Sequence, residues 1–419
     1  MDFGMSEKII KTPLPGGGLG ASAIDSREIE AVTRVLQNPG TLFRYPGEGE
    51  TRECPLFEKE LCEKLDVKGA LMVVSGTSAL TLCLSANGIG PGDEVIVPAY
   101  TYIATASAVT NAGAVPVVAD IDESLGLDPK DAEKKITPYT KAIIIVHMQG
   151  VPGRVNEMRA LCKKYNLKLI EDACQAIGSK YFGRYTGVDS DAFAWSLNFF
   201  KVITCGEGGV FFANDEEVFL RGIYAHDPGT PMWKTGLSQG SKLAPYTQMG
   251  IRGNEICAAV ARVQLTRLDG ILQKTRSLKK KLLSCLDRPI NYTLQHVDDP
   301  DGDCGISVSL IAKDDRSAAG LAKLMGEQGL HIGSVYNDGF PDRHIYKYWE
   351  AILEKRSASP AGYPWKDPSY RGNVQYSADM CQRTLDILSR CLRFTTNTNM
   401  SEANMEEVAQ VINYADRKL

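Results

Sequence analysis

Short runs of apolar residues alternate with longer stretches of helical periodicity through the first half of this chain. The runs occupy residues 70–74, 94–98, 115–120, 142–146 and 168–170. Strands that are buried on both faces of a sheet are apolar along their whole length, whereas half-exposed strands alternate. Because helical stretches separate these runs, the pattern predicts an α/β fold in which a largely parallel sheet is covered by helices on both faces.

Further elements flank this alternation. Helical spacing predicts helices at 26–36, 55–65, 256–272, 318–328 and 405–414, and apolar runs predict strands at 192–197, 210–213 and 306–311. Residues 274–281 are basic and polar, which predicts a hinge between two domains. We therefore expect a flexible N-terminal arm at 1–20, a large domain at 21–275 and a small C-terminal domain at 276–419. Residues 343–371 show no periodicity, which predicts a long loop.

Polar side chains follow the ends of several predicted strands. Ser75, Gly76 and Thr77 follow the first run, Tyr102 follows the second, and Asp172 follows the fifth. In open parallel sheets, ligands bind beyond the carboxyl ends of the strands. The sequence therefore predicts a ligand site at this edge of the sheet.

One lysine lies in an unusual setting. Lys201 stands after two phenylalanines and before the glycine-rich turn at 205–209. Burial disfavours the charged form of a lysine, and a neutral amine can attack a carbonyl to form a Schiff base. The alternative is an exposed lysine beside a hairpin. A lysine, a strand-end acid such as Asp172 and a phosphate-binding turn are together what a pyridoxal phosphate (PLP) site requires.

The neighbouring polar residues suit the remaining parts of that cofactor. The turn Ser75–Ser78 offers hydroxyls and backbone N–H groups to a phosphate, although such a turn can also be a simple helix cap. Tyr102 can stack on the ring. Asp172 can keep the ring nitrogen protonated, unless it caps a helix instead. Gln175 lies about one helical turn further on and can reach the ring hydroxyl.

Composition narrows the class of protein. The formal net charge is −4 with acidic and basic residues mixed, so a nucleic-acid partner is not expected. No apolar run approaches the roughly 20 residues that span a bilayer, and the N-terminus lacks a signal-peptide core. The eleven cysteines are scattered without a C-x-x-C pair, so neither a metal site nor a disulfide framework is expected. Free thiols favour a cytoplasmic location.

Four segments together resemble a known enzyme family. They are Ser75–Leu80, Gly92–Pro98, Glu171–Ala173 and Ser196–Gly209. From about Ile24 to Tyr414 the chain resembles the DegT/DnrJ/EryC1/StrS family of PLP-dependent sugar aminotransferases. The resemblance implies the aspartate aminotransferase-like fold (PLP fold type I), in which a large domain with a mainly parallel seven-stranded sheet is joined to a smaller C-terminal α+β domain.

The resemblance also implies a role for each matching position. It assigns Gly76, Thr77, Ser78 and Ser196 to the phosphate, Tyr102 to the ring face, Asp172 and Gln175 to the ring nitrogen and oxygen, and Lys201 to the Schiff base. Lys201 and Asp172 are thus the expected catalytic residues. Some relatives carry a histidine in place of this lysine and are dehydratases, so Lys201 favours transamination. A homodimer with both active sites at its interface is implied as well.

Within the family, two features are informative. Residues 146–150, 171–178 and 201–209 most resemble the branch that aminates C8 of an eight-carbon sugar acid, the 8-amino-3,8-dideoxy-octulosonate aminotransferases. The family usually carries Asn-x-Arg in the segment that reaches the partner subunit's phosphate, and here Gly250 stands in place of the asparagine. Arg252 keeps its register, so the departure puts the cross-subunit phosphate contact in doubt.

Substrate recognition leaves fewer signs in the sequence. Arg44, Tyr45 and His344 are the candidate substrate contacts, with Arg52 and Arg343 beside them. An arginine suits a carboxylate because its planar fork binds both oxygens. Solvated surface side chains are the alternative for each.

These observations predict a PLP-dependent transaminase. Glutamate or glutamine is the expected amino donor, and the aldehyde or ketone of a sugar or sugar-like molecule is the expected acceptor. One alternative is a family member diverted to other PLP chemistry, such as decarboxylation or amination of a non-sugar carbonyl in natural-product biosynthesis. The other is a regulatory protein that holds PLP without turnover.

Overall fold

The computed structural model describes residues 8–45, 47, 50–230, 243–246, 248–337, 339 and 341–419. In these, the α-helices in chain order are α1 (Ser26–Gln37), α2 (Glu53–Leu65), α3 (Gly76–Ala86), α4 (Ala104–Asn111), α5 (Pro129–Lys134), α6 (Val155–Tyr165), α7 (Glu216–His226), α8 (Glu255–Cys285), α9 (Asp315–Glu327), α10 (Glu350–Leu353), α11 (Gln382–Arg390) and α12 (Glu402–Lys418). The strands are β1 (Gly69–Val73), β2 (Glu94–Pro98), β3 (Val115–Ala119), β4 (Thr140–Val146), β5 (Lys168–Asp172), β6 (Lys180–Tyr181), β7 (Arg184–Tyr185), β8 (Ala192–Ser196), β9 (Gly209–Ala213), β10 (Tyr292–Leu294), β11 (Ser307–Ala312) and β12 (Cys391–Thr395).

The central sheet has seven strands in the order β1-β9-β8-β5-β4-β2-β3. The β3–β2, β2–β4, β4–β5 and β5–β8 pairs are parallel, whereas β8–β9 and β1–β9 are antiparallel. The predicted mainly parallel α/β sheet is therefore confirmed. The carboxyl ends of β2, β4, β5 and β8 meet at one edge, which is where the sequence predicts a ligand site.

Helices cover both faces of this sheet because alternate residues of each buried strand point to opposite sides. On one side, Leu71 and Val97 pack in a cluster with residues of α3, α4 and α7. On the other, Met72 packs with residues of α2 and α8, and Ile143 packs with residues of α6. Burial on both faces explains why these strands are apolar along their length.

Helix α8 runs for 31 residues and passes through the predicted hinge. The hinge prediction at 274–281 was therefore wrong. Lysine, arginine and leucine are all good helix formers, and Leu278 and Leu282 continue the buried stripe one turn apart. Beyond this helix, β10, β11 and β12 form a separate antiparallel sheet packed against α9 and α12. The domain boundaries at 20 and 275 stay predictions.

Both ends of the described chain pack onto the rest of the molecule. Residues 1–7 lie outside the described residues. The rest of the segment predicted as a flexible arm is held in place, since Ile10 N–H donates to Gln328 O (3.0 Å) and Asn397 Nδ2 donates to Pro15 O (2.9 Å). Gly20 N–H then donates to Lys201 O (3.4 Å), which brings this segment to the site.

The predicted loop at 343–371 contains two short helical turns. They are a 3-10 turn at Tyr346–Tyr348 and α10. Ile345, Tyr346 and Trp349 are fully buried in the core cluster that also contains the central strands. Among the helices of the described residues, none is both long enough and apolar enough to cross a membrane.

Candidate active site

A cavity of about 610 Å³ opens at the carboxyl ends of the central strands. The predicted cofactor residues on its wall are Gly76, Thr77, Tyr102, Asp172, Gln175, Ser196 and Lys201. The structure thus brings together seven of the eight predicted positions. Ser78 is absent from the cavity's lining, because its hydroxyl lies 3.0 Å from Ser75 Oγ in the first turn of α3.

The amino end of α3 forms one end of the cavity. Ser75 is the N-cap, and its Oγ accepts a hydrogen bond from Ser78 N–H (3.1 Å). A Cβ atom added at Gly76 would lie 2.7 Å from Ser196 Cβ and 3.0 Å from Cys174 Sγ, so only glycine allows the helix to approach β8 this closely. Backbone N–H groups, the helix dipole and nearby hydroxyls make this end suitable for an anion.

Asp172 supplies a buried carboxylate at the tip of β5. The residue is 4% exposed. Thr105 Oγ1 donates to its Oδ2 (2.8 Å), and Cys174 N–H donates to its Oδ1 (3.1 Å). Two donors on different oxygens hold the carboxylate in one orientation, which suits a group that must face a fixed partner.

Lys201 is half-buried in a loop between β8 and β9. Its backbone N–H donates to Asn198 O (3.0 Å). The preceding Phe199 and Phe200 are 53% and 78% exposed. In the described chain the two aromatics therefore leave the lysine partly open to solvent, contrary to the burial that the sequence suggested.

The pKa of the Cys174 thiol depends on the charged groups near it, and these include Lys201. Burial, and then the neighbouring carboxylate of Asp172, raise the pKa of the Cys174 thiol well above its ordinary value. Lys201 acts in the opposite sense on the pKa of this thiol. Cys174 is consequently a neutral neighbour of the site, without nucleophilic character.

Tyr102 and Gln175 stand on two walls of the cavity. The ring of Tyr102 is half-exposed and lies 5.2 Å from the ring of His344, at an interplanar angle of 50°. Gln175 Oε1 accepts a hydrogen bond from Gln149 N–H (3.2 Å). The two side chains are thus held at positions from which they can contact a planar ligand in the cavity.

His344 comes to the cavity from a distant part of the sequence. Thr101 N–H donates to His344 O (2.9 Å), and an isolated bridge pairs Tyr100 with Ile345. His344 Nδ1 lies 2.7 Å from Asp342 Oδ1. Although burial acts to raise it, hydrogen bonding from His344 lowers the pKa of Asp342. Of the three predicted substrate contacts, His344 is the one that lines the cavity.

Arg44 and Tyr45 have other partners in the described chain, and neither lines the cavity. Arg44 is 5% exposed, forms an ion pair with Glu58 and donates to Met72 O (3.1 Å). Tyr45 donates to Asp227 Oδ2 (2.5 Å), and burial followed by this bond raises the pKa of Tyr45 to about 12. Both were predicted as substrate contacts from polarity alone, and within one chain both take structural roles.

The segment that departs from the family pattern lies next to β1. Arg252 Nη1 donates to Asp227 Oδ1 (2.8 Å), and Asn254 caps α8 by accepting from Cys257 N–H. Asn254 is thus committed to the helix start and cannot replace the missing asparagine. A Cβ atom at Gly250 would meet no atom within 4 Å in the described chain.

His147, which directly follows β4, is a core residue. It is fully buried, and its Nε2 lies 2.9 Å from Glu171 Oε2. Gly153 N–H donates to Nδ1 (3.1 Å), so the other ring nitrogen carries the proton and donates to Glu171. His147 supports the strand ends from beneath the cavity.

Five polar wall residues were missed from the sequence. They are Thr101, Thr105, Gln149, Asn198 and Glu207. The two threonines flank Tyr102 with a spacing of four residues, a signal that could have placed them on one side of the α4 start. Asn198 and Glu207 bond to each other (2.9 Å) across the lysine loop. The sequence does not reveal this hydrogen-bonded pair, because the two residues meet only when the loop has folded.

The cavity fits PLP. The α3 end offers hydroxyl and backbone donors to a phosphate, and the buried Asp172 offers an anion to a protonated ring nitrogen. Tyr102 offers an aromatic face, and Lys201 offers an amine on the same wall. Every chemical feature of the cofactor therefore finds a complementary group among residues that the structure brings together.

Comparison with known proteins supports the same conclusion. Residues 22–361 match the profile of the DegT/DnrJ/EryC1/StrS aminotransferase family. GDP-perosamine synthase of Vibrio cholerae is 37% identical over 223 residues, which are 53% of this chain and 59% of that protein. The GDP-perosamine synthase of Caulobacter vibrioides is 40% identical over 219 residues, 51% of this chain and 56% of that protein. The chain thus matches little more than half the length of these curated relatives.

Solved structures confirm the fold. 3-Amino-5-hydroxybenzoic acid synthase matches with a TM-score of 0.76 and 25% identity, covering 98% of this chain and 100% of that chain. DesV of S. venezuelae matches with a TM-score of 0.74 and 27% identity, covering 97% and 100%. The aspartate aminotransferase-like fold expected from the sequence is therefore correct.

Proposed function

Because this chain belongs to the DegT/DnrJ/EryC1/StrS aminotransferase family, we propose that it is a PLP-dependent aminotransferase. It moves an amino group from glutamate or glutamine to the aldehyde or ketone of a sugar or sugar-like acceptor. The observation that carries the proposal is the cavity that brings Lys201, Asp172, Tyr102 and Gln175 together at the end of α3.

Some residues of the site would bind the cofactor, and others would hold or transfer protons. PLP, when bound, supplies an electron-accepting ring and a carbonyl carbon that can carry the amino group between substrates. Asp172, held by two donors, would keep the ring nitrogen protonated. Lys201 Nζ would hold the cofactor at its carbonyl carbon and, once the amino donor has displaced it there, would accept a proton from the substrate carbon and return it. Gly76, Thr77 and Ser196 would hold the phosphate.

His344 is the proposed contact to the acceptor. Its ring faces the cavity beside Tyr102, and Asp342 takes up the hydrogen bond of its Nδ1. Nε2 is then left as an acceptor for a sugar hydroxyl. The relatives named GDP-perosamine synthase favour an acceptor sugar that is carried on a nucleotide. Membership of the octulosonate branch stays a prediction.

We also propose that the enzyme is a cytoplasmic homodimer with its active sites at the interface. Phe199 and Phe200 are large, exposed apolar side chains next to Lys201, and a partner subunit would cover them. All eleven cysteines are free thiols, which supports a reducing compartment.

The substitution Lys201→Ala tests the proposed function. In the wild type, borohydride should fix PLP on the peptide that contains residue 201, as measured by mass spectrometry. The variant should lose this attachment, and amine transfer from glutamate to keto-sugar nucleotides should fall by about 10²- to 10⁴-fold. Lys180→Ala is the matched control, because Lys180 lies outside the cavity over the ring of Tyr185 (4.7 Å).

Two results would contradict the proposal. A Lys201→Ala protein that still transferred amine at the wild-type rate would exclude the assigned lysine. A wild-type protein that bound PLP but transferred no amine across donors and acceptors would favour the regulatory alternative.

A further inference from the structure

Asp172 stands at the end of a chain of threonine hydroxyls. Thr101 Oγ1 and Thr105 Oγ1 lie 2.8 Å apart, and Thr105 Oγ1 lies 2.8 Å from Asp172 Oδ2. Both threonines are 1% exposed, and both line the cavity. A carboxylate can only accept, so the Thr105 hydroxyl donates a hydrogen bond to Asp172 and must accept one from Thr101. The direction of the chain is therefore fixed from Thr101 to Asp172.

The threonine hydroxyls hold one oxygen of the Asp172 carboxylate, Oδ2, and Cys174 N–H holds the other, Oδ1. The two contacts differ in kind. The Cys174 amide lies two residues away along the same backbone, whereas Thr105 lies on α4, which follows a different strand. Thr105 thus links the strand-end acid to the neighbouring element. Hydrogen bonds to an ionised group are short and strong, and a buried carboxylate that loses one is free to rotate or to take up a proton.

We infer that Thr105 is a positioning residue for Asp172 and that Thr101 orders the Thr105 hydroxyl. The inference rests on the proposed function in one respect, that Asp172 faces the ring nitrogen of PLP. Thr105 holds Oδ2 so that the remaining lone pairs of the carboxylate point at that nitrogen.

The test compares Thr105→Val, which keeps the shape and removes the hydroxyl, with Thr105→Ser, which keeps the hydroxyl. Three readouts are measured: the PLP affinity of the cofactor-free protein by fluorescence, the absorbance of lysine-bound PLP against pH, and the single-turnover rate with glutamate. Losing a charge-assisted hydrogen bond corresponds to a change on the order of 10- to 100-fold. Thr105→Val should lose that much in rate and affinity and shift the pH profile, and Thr105→Ser should restore both to within about three-fold.

Two further variants separate positioning from general stability. Thr101→Val should give an intermediate loss, because Thr105 keeps its bond to Asp172 but loses its own donor. Thr275→Val removes another fully buried hydroxyl, which donates to Cys304 O (2.6 Å) outside the cavity. It should lower the unfolding temperature while leaving the affinity and the pH profile unchanged.

The outcomes distinguish this inference from the proposed function. If the wild type transfers amine and Thr105→Val matches it in affinity, spectrum and rate, the positioning role alone is overturned. The same holds if Thr105→Ser falls as far as Thr105→Val while circular dichroism shows both folded. If the wild type binds PLP but transfers no amine, the proposed function fails, and the PLP affinities of the variants still decide on Thr105.

Discussion

Gly76 is the residue at which the backbone of α3 comes closest to β8. We expect Gly76→Ala to weaken PLP binding by at least about ten-fold, because the added methyl group would lie 2.7 Å from Ser196 Cβ and push the anion-binding end apart. Overpacking of this kind also costs about 1–3 kcal/mol of stability. Isothermal titration of the cofactor-free protein measures the first effect, and thermal unfolding measures the second.

Gly270→Ala is the matched control for this substitution. Gly270 lies inside α8, is exposed, and a Cβ atom there meets no atom within 4 Å. Alanine should stabilise the helix by about 0.5–1 kcal/mol and leave the PLP affinity unchanged. Equal PLP affinity for Gly76→Ala and the wild type would show that the α3 end does not bind the phosphate.

Asp227 gives a prediction about pH. Its buried carboxylate accepts from Tyr45 (2.5 Å), Gly229 N–H (2.9 Å) and Arg252 (2.8 Å). Although burial acts to raise it, these bonds lower the pKa of Asp227. A carboxyl group whose pKa is lower in the folded state stabilises the fold above its unfolded pKa, about 3.9, and this contribution is lost as the pH falls below that value.

We therefore expect Asp227→Asn to lower the free energy of unfolding by about 2–4 kcal/mol at pH 7. The difference from the wild type should shrink when urea unfolding is repeated below about pH 4. Asp269→Asn removes the partner of Lys64 in an exposed ion pair and should change stability by less than about 1 kcal/mol at either pH. A deficit for Asp227→Asn that stays constant with pH would contradict the assigned ionisation.

At the scale of elements, α8 is the feature that joins the two sheets. Because the helix is continuous, Ser277→Pro should cost at least about 3 kcal/mol, as proline removes a backbone hydrogen bond and clashes with the preceding turn. Ser277 is exposed, so Ser277→Ala controls for the loss of the side chain. Thermal unfolding measures both. If Ser277→Pro unfolded at the same temperature as the wild type, the helix would not need to be continuous at this position, and the hinge predicted from the sequence would be supported.

The sequence predicts elements well where burial leaves a periodic trace. The central strands appear as apolar runs, and their ends were found to within two residues, with Thr77, Tyr102 and Asp172 beside them. By contrast, α11 was not predicted, although Leu385, Ile387 and Leu388 form a short buried stripe along it. The hinge prediction failed because a basic run was interpreted as an interruption of the helix, although Leu278 and Leu282 continued the helical period.

Site residues that come from distant segments could not be predicted in the same way. Leu19 and Ile306 line the cavity only because their segments fold back onto the strand ends. Charge alone also did not reveal that Arg44 has a buried partner within the chain, Glu58, and its role as a substrate contact stays a prediction. Local sequence thus defines the cofactor side of the site, and tertiary contacts define the substrate side.

For the whole molecule, the proposed homodimer predicts the effect of surface substitutions. Ile29 and Leu36 lie two helical turns apart on one face of α1, and they are 66% and 52% exposed. Ile29→Glu combined with Leu36→Glu should convert the dimer to a monomer and weaken PLP binding, as measured by light scattering and titration. Ile290→Glu changes an equally apolar exposed side chain elsewhere and should leave the dimer intact. A double variant that stays dimeric would exclude the α1 surface as the interface.

The bridge between Tyr100 and Ile345, with the adjoining bond from Thr101 to His344, has a consequence for biosynthesis. The ribosome synthesises the end of β2 and Tyr100 early, and it synthesises the segment around Ile345, which covers that strand end, much later. A nascent chain can form the apolar layers of its sheet before that segment leaves the exit tunnel, but it cannot yet enclose a vitamin B6 derivative. Truncated translation products should consequently emerge folded in part and unable to retain the coenzyme.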